Sequence, residues 1–493
     1  MGQEIQQQQF TEHDFQRFDD KLKQNIQQLK TLLDTPGFGL GKTSIGAELE
    51  IYLVDRDGSP LYLNEQLLRD LNDPQLTMEL NRYNLEFNLT PYPLDRQALF
   101  ATEHEILEKL ANLQHCADKY SGRIVPIGIL PTLREADFGP QSISNRQRYH
   151  LLLDELKKRR DGQFDTCIEG PGGRKLRVSM ADIALEGANT SFQLHYRVNP
   201  DDFSDTYNAF QLIMPLVLAI STNSPLLFGR ELWHETRIPL FKQSIDTRRH
   251  ADRKWQEPAR VNFGHGWLWD GALQLFREAV SLYEPLLPEC TDTDETINPP
   301  KLAELRLHMS TIWLWNRPVY DDADGGHLRI ELRALPAGPT PVDMMANAAF
   351  AIGLAEGLKP QLAELMAGLP FKMADHNFHR AAQFGPHAKL IWPRLHPDQP
   401  RERQVLKLAE ELLPIARQGL LSAHVSANEI DHYLGVIERR IQTGQTGSVW
   451  QKEMLTRLGN FHSRKTALHK MLEQYIHLSR SNTPVADWAQ DII

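Results

Sequence analysis

The chain carries two hydrophobic rhythms. Phe15, Phe18, Leu22, Ile26, Leu29 and Leu32 fall three and four residues apart and predict an amphipathic helix, with Thr11 and Asp14 at capping-box spacing before it. From about residue 44 the period drops to two. Successive strand side chains point to opposite faces, so "SIGAELEIYLV" (44–54) puts Ile45, Ala47, Leu49, Ile51 and Leu53 on one side. Gly46, Glu48, Glu50 and Tyr52 take the other. "YNLEFNLTP" (83–91) separates Leu85, Phe87 and Leu89 from Asn84, Glu86 and Asn88, with Glu79 seven residues before Glu86. "TSFQLHYRV" (190–198) sets Phe192, Leu194 and Tyr196 against Ser191, Gln193, His195 and Arg197. "HLRIELRAL" (327–335) sets Leu328, Ile330 and Leu332 against His327, Arg329, Glu331 and Arg333.

Helical stretches such as "ATEHEILEKLANLQHCADKY" (101–120) separate these strands without a strict strand-helix repeat, which predicts an α+β fold and not a doubly wound sheet. Beyond about 341 the pattern is nearly all helical. The expected organisation is a polar tail and helix over 1–35, a catalytic domain over 36–400, and a C-terminal helical segment over 401–493 packed on that domain. The most apolar segment, "AFQLIMPLVLAI" (209–220), is shorter than the ~20 residues a spanning helix needs and contains Gln211 and Pro215, so it is expected to be a buried core helix.

Composition narrows the function. The 493 residues are 41% hydrophobic and 24% charged with a net charge of -10, which argues against nucleic acid or an anionic membrane as partner. The short basic run "KKRR" (157–160) beside Asp154, Glu155 and Asp161 is expected to be a solvated helix face. Three scattered cysteines and a polar N-terminus without a signal layout lead us to expect a reducing, cytoplasmic setting. The "GKT" at 41–43 is not a P-loop end. The first glycine of that motif would have to be residue 36, which is Pro36, and a strand rather than a helix is predicted to follow.

Same-face carboxylates offer another route to phosphate chemistry. Each strand taken singly has the alternation of an ordinary sheet with one face in water. Taken together, Glu48, Glu50, Glu79, Glu86 and Glu331 repel one another unless cations sit between them, and hard ions such as Mg²⁺ take carboxylate and phosphate oxygens. Interleaved arginines would neutralise a transferring phosphoryl group.

Five ordered motifs resemble the second family of glutamate-cysteine ligases, the carboxylate-amine ligases with a glutamine-synthetase-like catalytic fold. They are "GAELEIYLVD" (46–55), "ELNRYNLEFNLTP" (79–91), "STNSPLLFGRELWHETR" (221–237), "HLRIELRALPAGPTPVD" (327–343) and "NFHRAAQFGPHAKLIW" (377–392). The resemblance implies a strongly curved antiparallel sheet, apolar on its convex side and polar on its concave side, forming a funnel for ATP and metal. It implies Glu48, Glu50, Glu79, Glu86, Glu331 and Gln193 as ligands of two or three Mg²⁺ or Mn²⁺ ions. Arg333 and Arg237, with Glu331, are the implied catalytic groups, and Gln193, His195 and Arg329 the implied nucleotide contacts.

Gln193 stands where related enzymes commonly carry a metal-binding histidine, which leaves open which ion it completes and whether His195 meets ATP, meets substrate or packs. His327 is expected to be structural. The aromatic run "FGHGWLWD" (263–270) is either core or part of an acceptor pocket. The implied reaction joins the γ-carboxylate of glutamate to an amine, cysteine by default, through an acyl phosphate. A kinase-like relative acting on a carboxyl or guanidino group and a non-catalytic nucleotide-binding regulator are the alternatives. The C-terminal helices are expected either to cover the site or to join two copies of the chain.

Overall fold

The computed structural model describes residues 5, 7, 9–160, 162–248, 256–291, 298–393 and 401–489. Its centre is a strongly curled, wholly antiparallel sheet of eight strands in an α+β chain. Five main strands lie side by side in the order Asn316–Asp321, His327–Leu332, Phe192–Val198, Ser44–Val54 and Asn84–Asn88, with the short strand Leu76–Met78 at the edge. Tyr92–Pro93 and Arg123–Val125 pair with the two ends of Ser44–Val54. The predicted strands are present, and the second shortens to five residues because the chain turns on both sides of it.

The alternation sets the layers. Ile45, Leu49, Ile51, Leu85, Phe192, Leu194, Ile330 and Leu332 are all buried on the apolar face. That face rests on the helices Phe203–Ser221 and Pro341–Leu358, where Tyr196 meets Phe210 edge-on at 5.4 Å and gives its hydroxyl to Glu356 at 2.8 Å. Both helices are buried almost all round because further helices cover them, as a helix without a polar face requires. The 209–220 segment is thus a core helix, as its composition predicted.

The helix Val405–Ser422 crosses Pro341–Leu358 at backbone contact. A Cβ added to Gly419 would stand 1.9 Å from the Gly353 carbonyl oxygen. Beyond it, Arg440 donates to Asp343 at 2.7 Å with both side chains buried, and Asn223 donates to the Tyr475 hydroxyl at 2.8 Å. The last helices are therefore tied to the sheet-bearing part by buried polar bonds as well as apolar packing. The only strands after 341 among the described residues form the small hairpin of Lys389–Ile391 with Glu402–Gln404.

The N-terminal helix Glu12–Leu33 starts at the expected capping box of Thr11 and Asp14 and buries Phe18, Leu22 and Leu29. The basic run ends the helix Gln147–Arg160, but only half of it is solvated. Lys157 and Lys158 are exposed, whereas Arg159 pairs with Glu284 at 2.6 Å and Arg160 donates to the Asp246 carbonyl at 3.1 Å. Arginine's forked donors make such half-buried bonds where lysine stays in water.

Candidate metal and nucleotide site

Register gathers the polar side chains on the concave face. Glu48 lies opposite Asn88 on one side and Gln193 on the other, Glu50 lies opposite Glu86, and His195 lies opposite Glu331. Two groups of three result. Ligand atoms of Glu48, His195 and Glu331 all lie within 4.8 Å of one another, and so do those of Glu50, Glu79 and Glu86. The five glutamates expected to hold metal thus converge, although they come from three separate stretches of chain.

Arg333 stands between the two groups. It donates to Glu331 and to the Gln193 carbonyl oxygen, and the charges of Glu331, Glu48 and Glu50 raise its pKa against the cost of burial. Glu331 is fully buried and takes a second bond from Arg317 Nε at 2.5 Å. Burial alone would raise Glu331, but Arg317 and Arg333 hold it down at about 2. Burial also works against ionisation of Glu48, yet the approach of His195 Nε2 to 3.2 Å, with Arg333 behind, keeps it well below the usual carboxylate range. Neither His195 ring nitrogen makes a well-aligned hydrogen bond within the protein.

The second group is the opposite case. Burial first, then the neighbouring carboxylates Glu86 and Glu50, push Glu79 well up. Burial and the charge of Glu48 push Glu86 up to about 8. Glu50 is raised by burial against the pull of Arg333, even though Ser191 N donates to it at 2.6 Å and Gln193 Nε2 at 2.9 Å. Three carboxylates, Glu86 buried and Glu50 and Glu79 half-buried, with too little positive charge among them form a donor set suited to a hard divalent cation. The Glu48–His195–Glu331 group offers two carboxylates and an imidazole, with two arginines already present.

The remaining expected residues divide. Arg329 sits on the same face at the outer end, paired with Asp321 at 2.9 Å and 3.3 Å from His327 Nε2. With Glu48, His195, Arg317, Phe276 and Tyr320 it lines a cavity of about 120 Å³ that opens beside the first group. Arg237 is buried, and its guanidinium donates to Glu235 at 2.7 Å and to the Ala334 carbonyl at 2.5 Å, anchoring the segment that follows Arg333. It reaches Glu50 through its charge. His327 Nδ1 lies 3.3 Å from the Ala323 carbonyl oxygen and so ties the Gly-rich loop to the strand. In the aromatic run, Phe263 stacks on Phe378 at 4.7 Å and Trp267 is buried, while Trp269 is exposed. Asn377 clamps Ile391 through both backbone groups. A separate cavity of about 1020 Å³ lined by Arg56, Arg134, Phe228 and Arg464 includes no member of either carboxylate group.

Two contributors had no assigned role in the linear motifs. Arg317 faces Glu331 across the hairpin closed by "DADGG", so pairing that hairpin in register would have revealed it. Glu186 is raised to about 8 by burial and by Glu50. It sits on the 3-10 turn Glu186–Ala188, where no periodicity marks it.

Residues 44–261 match the sequence model of glutamate-cysteine ligase family 2 (GCS2). The resemblance carried by the strand motifs holds over that span, which includes Glu48, Glu50, Glu79, Glu86, Gln193 and His195. No curated protein matches the chain in sequence. Among solved structures, the chain is similar to glutamate–cysteine ligase from Francisella tularensis in complex with AMP at 14% identity, covering 90% of each chain with a TM-score of 0.49. It is also similar to a bifunctional glutathione synthetase from Pasteurella multocida at 12% identity and a TM-score of 0.47, covering 92% of this chain and 53% of that one. Likeness at this level bears on neither activity nor substrate.

Proposed function

We propose that the protein is an ATP- and Mg²⁺-dependent ligase that joins the γ-carboxylate of glutamate to an amine, with cysteine as the default acceptor. The observation that supports this reading most directly is the pair of three-residue ligand groups with Arg333 between them. Glu50, Glu79 and Glu86 would hold one divalent ion and Glu48, His195 and Glu331 another. Such ions supply charge neutralisation at the phosphate oxygens of ATP. The arginine-lined cavity beside Glu48 and His195 would receive the phosphate chain.

The chemistry then follows from position. The glutamate γ-carboxylate oxygen attacks the γ-phosphorus of ATP, ADP leaves, and an acyl phosphate remains. Arg333, fixed by Glu331 and Gln193, offsets the charge that builds on the transferring group without having to reorganise. The amine nitrogen then attacks the acyl carbon, the carbon–oxygen bond to phosphate breaks, and the departing phosphate takes up the proton that the nitrogen loses. Burial of the site keeps water from intercepting the acyl phosphate.

The test is ADP release by the purified protein with Mg²⁺, ATP and L-glutamate, adding amines singly and weighing the products. A γ-glutamyl amide formed in step with ADP is expected. A stable phosphorylated product would replace the ligase with a kinase, and no turnover with any carboxylate would leave a nucleotide-binding regulator.

A further inference from the structure

The amide expected to help hold metal, Gln193, is already committed at both ends: its Nε2 donates to Glu50 at 2.9 Å and its carbonyl oxygen accepts from Arg333. A second carboxamide on the same face is not. Asn84 is 2% exposed, and neither its Oδ1 nor its Nδ2 has a hydrogen-bond partner. A buried carboxamide left this way has lost its hydration with nothing in its place, so it points to a water, ion or ligand bound against it.

Its place in the sheet is set by pairing. Asn84 lies opposite Tyr52 and Leu85 lies opposite Ile51, so the Asn84 side chain shares the face of Glu50 and Glu86, one step along from that opposed pair. On the other side Met78 pairs with Leu85, which brings Glu79, the next residue, alongside Asn84. Asn88, the other asparagine of this strand, already gives its Nδ2 to Glu86 at 2.9 Å. Asn84 is thus the buried amide of this strand with neither end bonded, beside three carboxylates whose ligand atoms lie within 4.8 Å of one another.

We infer that Asn84 Oδ1 is the neutral oxygen ligand of the divalent cation held by Glu50, Glu79 and Glu86, and that Gln193 instead positions Arg333 and Glu50. The inference rests on the two-ion reading above. The chemistry is consistent: a group of three carboxylates already exceeds the charge of one divalent ion, so the further ligand should add oxygen without adding charge. The free Nδ2 is left to donate to an oxygen that reaches the ion from a bound substrate.

The probe is Mn²⁺ titrated into metal-free protein without ATP, with bound ion counted by electron paramagnetic resonance. Asn84→Ala is expected to weaken one class of Mn²⁺ site by about 10-fold or more, while Asn84→Gln, which keeps a neutral amide oxygen, weakens it less. Gln193→Ala should leave that site within about threefold of wild type. Circular dichroism and the thermal midpoint verify that each variant is folded. Wild-type Mn²⁺ affinity in Asn84→Ala, or loss of the site in Gln193→Ala alone, overturns the inference. Wild-type protein that binds no Mn²⁺ overturns it together with the two-ion reading. Site loss in Asn84→Ala in a protein that forms no amide upholds the inference and removes only the ligase assignment.

Discussion

Replacing Glu86 by glutamine should make the ion-free protein more stable, and the gain should grow with pH. Glu86 is 5% exposed, and burial together with the charge of Glu48 holds its pKa near 8, against the usual 4.5 of a free side chain. Between those two values the unfolded chain has released the proton and the folded chain has kept it, so the folded state binds more protons and stability falls as pH rises. Below pH 4.5 the group contributes nothing.

At about 1.36 kcal/mol per pH unit, the cost is about 3 kcal/mol at pH 7 and levels off near 5 kcal/mol above pH 8. Glutamine is neutral in both states and keeps an oxygen for Asn88 Nδ2, so Glu86→Gln should lack this slope. Urea unfolding in EDTA at pH 5, 7 and 9 measures it. The variant should nearly match wild type at pH 5 and exceed it by several kcal/mol at pH 9. Added Mg²⁺ should reverse the order by stabilising wild type alone, since the ion takes the deprotonated carboxylate. A stability difference that is absent, or the same at all three pH values, would refute the account of a carboxylate group short of positive charge.

Arg333→Met should lower ADP release by about 100- to 1000-fold, the usual loss of one preorganised charge-stabilising donor, while Mn²⁺ titration still finds both ion sites. Loss of the ions with the turnover would make Arg333 a structural brace instead. Gly419→Ala should destabilise the protein by about 1–3 kcal/mol in urea unfolding, because its Cβ would meet the Gly353 carbonyl oxygen at 1.9 Å and push two core helices apart. An unchanged midpoint would show that this helix pair yields without cost.

The candidate site was legible where it lay on strands. A period of two places Glu48 and Glu50 on one face whatever the rest of the chain does, and the same holds for Gln193 with His195 and for Glu331 with Arg333. It was illegible where partners meet only across strands. Arg317 meets Glu331 only once the hairpin between them is set in register, and nothing in the linear spacing shows that Gln193 is consumed by Arg333 and Glu50 while Asn84 is left free. Arg237 carries the charge of a phosphate contact but spends it on Glu235 and a backbone carbonyl, which only its burial reveals.

The sequence alone determined the α+β class, the polar and apolar faces of four strands, the core character of the 209–220 helix and the capping of the first helix. These are short-range consequences of backbone geometry, which each segment carries with it. Only the tertiary structure decided which strands neighbour one another and in what register. That choice, made by burying every apolar face at once, gathered five repelling carboxylates into two groups and set Arg333 between them.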